Sequence, residues 1–346
     1  MGNNLKLVVI ASVILWSFFS CKNKVANPGK QEQHSSNSNK EVNISYFLTK
    51  ESVFEIKTVT CTLSNGIESE CYEITTNGLI PKDHEVGPWC IDDLDDTADK
   101  GGIWFKDGKI YNVDGEFIKN LPELYHDDHW RLHDDDGHVN KTLTKADCIE
   151  LKSAKLVNKF ENFCIECLPD YVEGISKTYL IPKTPVKLET PISLGGPPKD
   201  KNGKGEKPKG PPPNGGRGDK KGPQVRGLAF NGVAFDGPAP LHIILAGYSI
   251  PPLDNAGGHI NLDSGYHYHA ATGSTKKVEQ NDGHASMIGY AMDGYGLFEE
   301  LGKKGDSPLD LDQCRGHFDE ERGYHYHADA PGNNNIINCF NGAIAK

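Results

Sequence analysis

Six histidines recur in one pattern. Residues 253–270 read LDNAGGHINLDSGYHYHA and residues 311–328 read LDQCRGHFDEERGYHYHA, so at an offset of 58 both fit L-D-x3-G-H-x5-G-Y-H-Y-H-A without a gap. Imidazole ligates transition metals and moves protons near neutral pH, so a duplicated histidine pattern is a chemical signal. Side chains on extended backbone alternate between faces. His267 and His269 therefore share one face and Tyr266 and Tyr268 the other; the second copy does the same with His325 and His327 against Tyr324 and Tyr326. Each copy reads as a strand with a dry tyrosine face and a polar imidazole face. His259 and His317, with the acids Asp254 and Asp312, lie near enough in sequence to fold back towards it.

An H-x-H pair on one strand face gives two imidazoles to one ion, with a third ligand from a neighbouring loop. His259, His267, His269, His317, His325 and His327 are the candidate ligands. Two arrangements are open. His267, His269, His325 and His327 could meet at one centre about a pseudo-two-fold axis, or each copy could build its own three-histidine site. Imidazole ligands, with thiols engaged in disulfides, favour Zn or Cu. Asp254 and Asp312 are natural partners to orient His259 and His317. His284 and Asp293 are additional candidates, although Asp293 also suits a turn. The competing reading is a buried His-Tyr-Asp hydrogen-bond network that binds nothing. Metal-free acid–base catalysis finds little support: Glu320 and Glu321 occur in one copy only, and no nucleophile motif accompanies the histidines.

At these residues the chain resembles the YHYH-domain proteins of bacterial envelopes and some other organisms. The GYHYHA signature appears twice, and HASMIGYAMDGYGLF (284–298) and the CFNG near the C-terminus are also similar to that family. The likeness covers residues 228–346, and the cysteine-bearing stretch from about 50 to 194 resembles the front half of longer members. The resemblance implies a class of domain and leaves its chemistry open.

Residues 1–20 have the form of a secretory signal: Lys6, an apolar run over 7–19, then Ser20 before Cys21. A run of this length, 13 residues interrupted only by Ser12 and Ser17, suits a signal h-region better than a membrane span. Cys21 after a small residue resembles a lipobox, which makes it the candidate lipidation site and the membrane the first partner. Residues 21–48 then read as a flexible tether. The expected location is the cell envelope, facing the periplasm or the exterior.

The formal charge is −11 over 346 residues. The segment 195–227 holds nine Lys/Arg against three Asp/Glu, a local +6 that leaves −17 for the remainder. An acidic body argues against nucleic acid as partner and suits cations. Nine cysteines minus Cys21 leave eight, an even number that in an oxidising compartment reads as disulfides. Cys61 and Cys71 are the best-supported pair: the sequence around them alternates as a hairpin turning at Asn65-Gly66, and a loop centred on Gly66 sets the two directly opposite. Cys314 and Cys339 would staple the second copy to the C-terminal tail. Cys164 and Cys167 form a C-x-x-C step without the surrounding pattern of a redox domain, and read as structural.

Residues 49–194 read as a cysteine-containing, β-rich region. Within it, IWFKDGKIYNVDGEFI (103–118) suggests a meander with turns at both Asp-Gly steps, and a helix fits 145–160 behind a Thr144–Asp147 cap. His126, His129 and His133 have helical spacing, but the acid-rich run 126–138 is better read as a solvated loop. Residues 195–227 read as a disordered Gly/Pro/Lys linker. In 228–346, the YHYH domain, LHIILA (241–246) reads as a buried strand and SMIGYAMDGYGLF as strand, Asp293-Gly294 turn, strand. The chain is thus expected to be mainly β, with short disulfide-stapled strands and loops and few helices. The expected function is extracytoplasmic binding of Cu or Zn. A metal-free binding or adhesion module for a protein or glycan partner, and a metal-dependent oxidoreductase, are the alternatives.

Overall fold

The computed structural model describes residues 40–48, 53–77, 81–87, 89–142, 144, 146, 147, 150, 164–167, 174–194, 224–261 and 264–346. The expected signal segment, Cys21 and most of the expected linker lie outside them. Among the described residues no helix is long and apolar enough to cross a membrane. The fold is mainly β, as the alternation predicts, with short helices at its margin.

In chain order the first strands are β1 (Val53–Thr62) and β2 (Glu68–Thr76), then β3 (Ile103–Lys106) and β4 (Lys109–Asn112). Helices α1 (Gly115–Lys119) and α2 (Leu121–Tyr125) follow, then β5 (Cys164–Ile165), β6 (Lys177–Pro182) and β7 (Lys187–Ser193). The duplicated region supplies β8 (Val225–Ala229), β9 (Ala234–Asp236), α3 (Leu241–Ala246), β10 (Ser249–Ile250), β11 (Gly258–Asn261) and β12 (Gly265–Tyr268). It continues through β13 (Met287–Ala291), β14 (Gly296–Phe298), β15 (Gly316–Asp319), β16 (Gly323–His327) and β17 (Cys339–Gly342).

The central sheet has eight strands in the order β11-β12-β9-β8-β13-β14-β16-β15. That order is a palindrome: a four-strand unit followed by its own mirror order. β8 and β13 meet antiparallel at the middle, while β12 runs parallel to β9 and β16 parallel to β14. The duplication is therefore longer than the GYHYHA motif shows. GLAFNGVAF (227–235) and GYAMDGYGL (289–297) are the same hairpin with few identities, kept by Gly at its start, by Ala229 and Ala291, and by an Asn-Gly or Asp-Gly turn at 231–232 and 293–294. Gly232 and Gly294 both have positive φ, which the turn demands.

The tyrosine face is the core, as expected. Tyr268, Tyr326, Phe235, Leu297, Ile336 and Phe340 are all fully buried in one cluster. On the other face, Leu228, Ala234, Met287 and Phe298 pack with Ile74, Tyr179 and Ile181 of the β1-β2-β6 sheet. The front and rear of the chain are also tied by β7 against β17 and by β5 against β10. The imidazole face is not solvated at its strands: His267, His269, His325 and His327 are buried.

Several expectations are corrected. Residues 40–48 are not tether: Val42 and Phe47 are buried, Val42 N–H donates to Lys183 O at 2.9 Å, and Leu48 N–H donates to Phe230 O at 2.8 Å. Residues 225–227 belong to β8, not to a linker. LHIILA is helix α3, between Pro240 and Gly247; six apolar residues cannot distinguish a strand from a buried helical turn by periodicity. The first Asp-Gly step turns β3 into β4, but the second starts α1, where Asp114 accepts from Phe117 N–H at 2.8 Å. Asp and Gly serve helix N-termini as readily as hairpin turns. Thr144 and Asp147 form the reciprocal cap bonds, at 2.9 and 3.2 Å; most of 145–160, Cys148 included, lies outside the described residues.

Disulfides join Cys61 to Cys71, Cys90 to Cys167, and Cys314 to Cys339. The first pair is diagonal and not directly opposite: Cys61 faces Ser69 and Cys71 faces Val59, and the Cα atoms are 5.9 Å apart. The Cys90 bond gives Cys167 a partner outside the C-x-x-C step.

Candidate metal centres

Each GYHYHA strand is the second arm of a hairpin whose first arm carries the upstream histidine. In β11–β12, His259 faces His267; in β15–β16, His317 faces His325. The hairpin closes this way because its first arm begins with glycine. A Cβ on Gly258 would stand 2.6 Å from the Tyr266 hydroxyl oxygen, and one on Gly316 2.1 Å from that of Tyr324. The tyrosine rings lie across those glycines and reach the acids behind them.

Asp254 and Asp312 consequently do a different job from the one expected of them. Asp254 accepts backbone N–H bonds from Ala256 (2.9 Å) and Gly258 (3.0 Å) and a hydrogen bond from the Tyr266 hydroxyl. Asp312 accepts from Cys314 N–H (2.8 Å), Gly316 N–H (3.0 Å) and Tyr324 hydroxyl (2.8 Å). They fix the turn and the tyrosine, on the side of the strand away from the imidazoles. Asp293 belongs to the same scaffold: it is fully buried and accepts from the Tyr326 hydroxyl at 2.6 Å and Gly342 N–H at 2.9 Å. Burial pushes its carboxyl up to about 6. Asn231, at the matching turn, bonds the Tyr268 hydroxyl at 2.8 Å.

On the other face the histidines gather into two separate clusters, His259–His267–His269 and His284–His317–His325–His327. In each, the potential ligand atoms lie within 4.8 Å of one another. A single centre shared by both copies is not what the topology builds, because β9, β8, β13 and β14 stand between the two GYHYHA strands. His284, a candidate without a repeat partner, joins the second cluster from the loop before β13.

The nitrogens are used unequally. His267 Nδ1 faces Gly265 O at 2.9 Å and His269 Nδ1 faces Gly237 O at 2.7 Å. In the second cluster, His325 Nδ1 faces Gly323 O (2.9 Å), His327 Nδ1 faces Glu299 O (2.9 Å), His284 Nδ1 faces Ala285 O (3.0 Å) and His317 Nδ1 faces Asp310 Oδ1 (2.8 Å). A carbonyl or carboxylate oxygen only accepts, so each of these Nδ1 atoms carries the proton. In a neutral ring the Nε2 atom then holds a bare lone pair. Those Nε2 atoms converge: His269 lies 3.1 Å from His267 and 3.2 Å from His259. His325 lies 3.0 Å from both His317 and His284, and His317 lies 3.2 Å from His327.

Burial favours the neutral form of five of these rings. It lowers His267 to about 4, His269 to about 3, His325 to about 4 and His327 to about 3, and it lowers His284 as well. Three or four lone pairs around one point repel one another unless a cation sits among them. A tetrahedral ion with Zn–N near 2.0–2.1 Å needs neighbouring nitrogens about 3.3 Å apart, close to the spacings seen. The Nδ1 bonds to carbonyls and to Asp310 are of the kind that orients histidines in known metal sites.

The acid-rich run shows no such convergence. Helix α2 ends at His126 in the left-handed conformation, so the helical spacing of His126, His129 and His133 does not persist. His129 pairs with Asp127 at 2.7 Å and His133 with Asp134 O at 2.8 Å, each within its own turn.

Sequence reasoning missed two contributors. His84, from the front half, sets its Nε2 3.0 Å from the Tyr266 hydroxyl and its Nδ1 2.9 Å from Asp83. Lys177 of β6 donates to Ser264 O at 2.9 Å, beside the first cluster. Neither stands in a motif; each reaches the domain through chain packing alone.

Residues 207–308 match the family model described as YHYH protein. No curated protein and no solved structure matches the chain. The matched stretch contains the first GYHYHA copy, the hairpins at 227–235 and 289–297, and His284; the second copy lies beyond it. Residues 207–308 are thus a YHYH protein domain, and beyond that match the second copy rebuilds the same glycine–tyrosine–aspartate scaffold and inward nitrogens.

Proposed function

We propose that this protein binds transition-metal ions, Zn or Cu, at its two histidine clusters, outside the cytoplasm and close to a membrane. One observation carries the reading: imidazole Nε2 lone pairs converge at each of two points while the Nδ1 protons of His267, His269, His284, His317, His325 and His327 are committed elsewhere. All-nitrogen ligand sets favour Cu and Zn over Mg, Ca or Mn. The signal-like segment and Cys21 support a lipid-anchored location, and the acidic body supports cation capture over nucleic-acid binding.

A second reading, a metal-free module that binds a protein or glycan, has its own support. The Tyr-Asp and Tyr-Asn bonds and the disulfides form a scaffold that needs no ion. Under that reading the clustered Nε2 atoms would have to share protons, which burial opposes.

Elemental analysis of the full-length protein, purified from an extracytoplasmic fraction without a histidine tag, separates the two. The expected result is two equivalents of Zn or Cu, falling to none when His267, His269, His325 and His327 are all Ala. Absence of bound metal after reconstitution with either ion overturns the metal reading.

A further inference from the structure

The two clusters are built on matching scaffolds but are not filled alike. In the second, His284 supplies a fourth imidazole, and its ring stands 4.9 Å from that of Phe298. Phe298 pairs with His327 across β14–β16, and its ring also lies 4.8 Å from that of His325. It walls the centre with hydrocarbon. In the first cluster the described residues supply three imidazoles.

The equivalent of Phe298 is Asp236, one strand position beyond the Ala234–His267 and Phe235–Tyr268 pairs of β9–β12. Alternation puts Asp236 on the imidazole face, level with His269. Its side chain is buried, 6% exposed, where an aromatic ring stands in the other half. Burial of a carboxylate is costly without a compensating charge or donor. Burial raises the Asp236 carboxyl above its ordinary value, and the cations Lys177 and Arg226 pull the other way. Asp236 is not itself in the ligand group, whose atoms are the three imidazole nitrogens.

Resting on the metal reading above, we infer that the two centres differ in kind. The four-histidine centre is coordinatively complete, whereas the His259–His267–His269 centre leaves one position for an exchangeable ligand, a water or small anion, bordered by the Asp236 carboxylate. Closed four-coordinate sites hold an ion in place, and three-ligand sites with an open position are those that bind and activate small molecules. A carboxylate at the edge of such a position accepts a hydrogen bond from bound water and repels a bound anion.

Cobalt(II) with azide tests this on the full chain. Co(II) reports its coordination in the visible spectrum, and azide enters only a centre with a free or water-filled position. The expected result is two equivalents of Co(II), with azide altering the spectrum of one. His284→Ala should make both respond. Asp236→Asn should keep two equivalents and tighten azide at the responsive centre at least fivefold, since a like charge is removed. Spectra in which azide perturbs neither ion, or both equally in the wild-type protein, overturn the inference while leaving metal binding intact. Failure to bind Co(II), Zn or Cu overturns both. The wild-type spectrum decides the matter if either variant does not fold.

Discussion

Behind the rings of His267, His269, His284, His325 and His327 stands a backbone carbonyl that accepts from Nδ1, and behind that of His317 stands Asp310. Gly237 O behind His269 and Glu299 O behind His327 occupy matching positions at the ends of β9 and β14. Backbone acceptors make ligand orientation insensitive to the side chain at those positions, so Glu299→Ala should leave metal stoichiometry unchanged. His267→Ala should remove one equivalent, because the three-histidine centre would keep only two imidazoles; inductively coupled plasma mass spectrometry of both variants checks the pair. The glycines are less forgiving. Gly316→Ala would drive a Cβ to 2.1 Å from the Tyr324 hydroxyl, so the ring must leave Asp312 or the strands must part. We expect a loss of about 1–3 kcal/mol in urea denaturation, in the range of overpacked substitutions. Tyr326→Phe should cost a similar amount, about 1–3 kcal/mol, because the buried Asp293 carboxylate loses a donor.

Among the elements, the hairpins β11–β12 and β15–β16 form the two outer edges of the eight-stranded sheet. Edge strands are held on one side only, and each is stabilised here by other means. The first has the Asp254 turn, with Asp83, His84 and Asn231 bonded around its tyrosines. The second has the Cys314–Cys339 bond, which ties the turn before β15 to β17. That bond closes a loop with a sequence separation of 25, for which chain-entropy reasoning gives about 3.5 kcal/mol. Replacing both cysteines by Ser should lower stability by about 2–4 kcal/mol and loosen the four-histidine centre first. Hydrogen exchange should show β15 and β16 losing protection while β11 and β12 keep theirs; equal loss in both hairpins would contradict this division.

For the whole molecule, four buried histidines make the metal-free fold sensitive to acid. His267, His269, His325 and His327 titrate at about 3–4 when folded, against an ordinary value of 6.5. The unfolded chain therefore binds more protons between about pH 6.5 and 3, and stability falls as pH drops through that window. Asp293 works the other way. Its carboxyl is raised from 3.8 to about 6, so the folded state holds the extra proton, and this group favours folding as pH falls from about 6 towards 3.8. Burial raises Asp236, Asp254 and Glu300 as well, but Asp96 and Asp282, held down at about 2 by hydrogen bonds from Lys100 and Arg322, side with the four histidines, and the net slope is destabilising in acid. A bound ion adds a second loss, since protons compete for the Nε2 atoms. Denaturant midpoints of metal-free and metal-loaded protein at pH 7, 5.5 and 4 should converge as pH falls; a gap that persists at pH 4 would argue against imidazole ligands.

Sequence alone determined a good deal at this scale. Alternation along GYHYHA separated a tyrosine face from an imidazole face, and period-two geometry is a local property of extended backbone. The turn at Asn65-Gly66 and the Asp293-Gly294 hairpin were legible for the same reason, since each rests on neighbours in the chain. Tertiary structure decided the rest. Only the palindromic strand order separates the imidazoles into two clusters instead of one, because four strands intervene between motifs that look adjacent in sequence. Packing also brought His284 into one centre, put Asp236 where the other has Phe298, and turned Asp254 and Asp312 towards tyrosines. Those placements depend on which strand lies beside which, a long-range outcome that no local pattern of residues encodes.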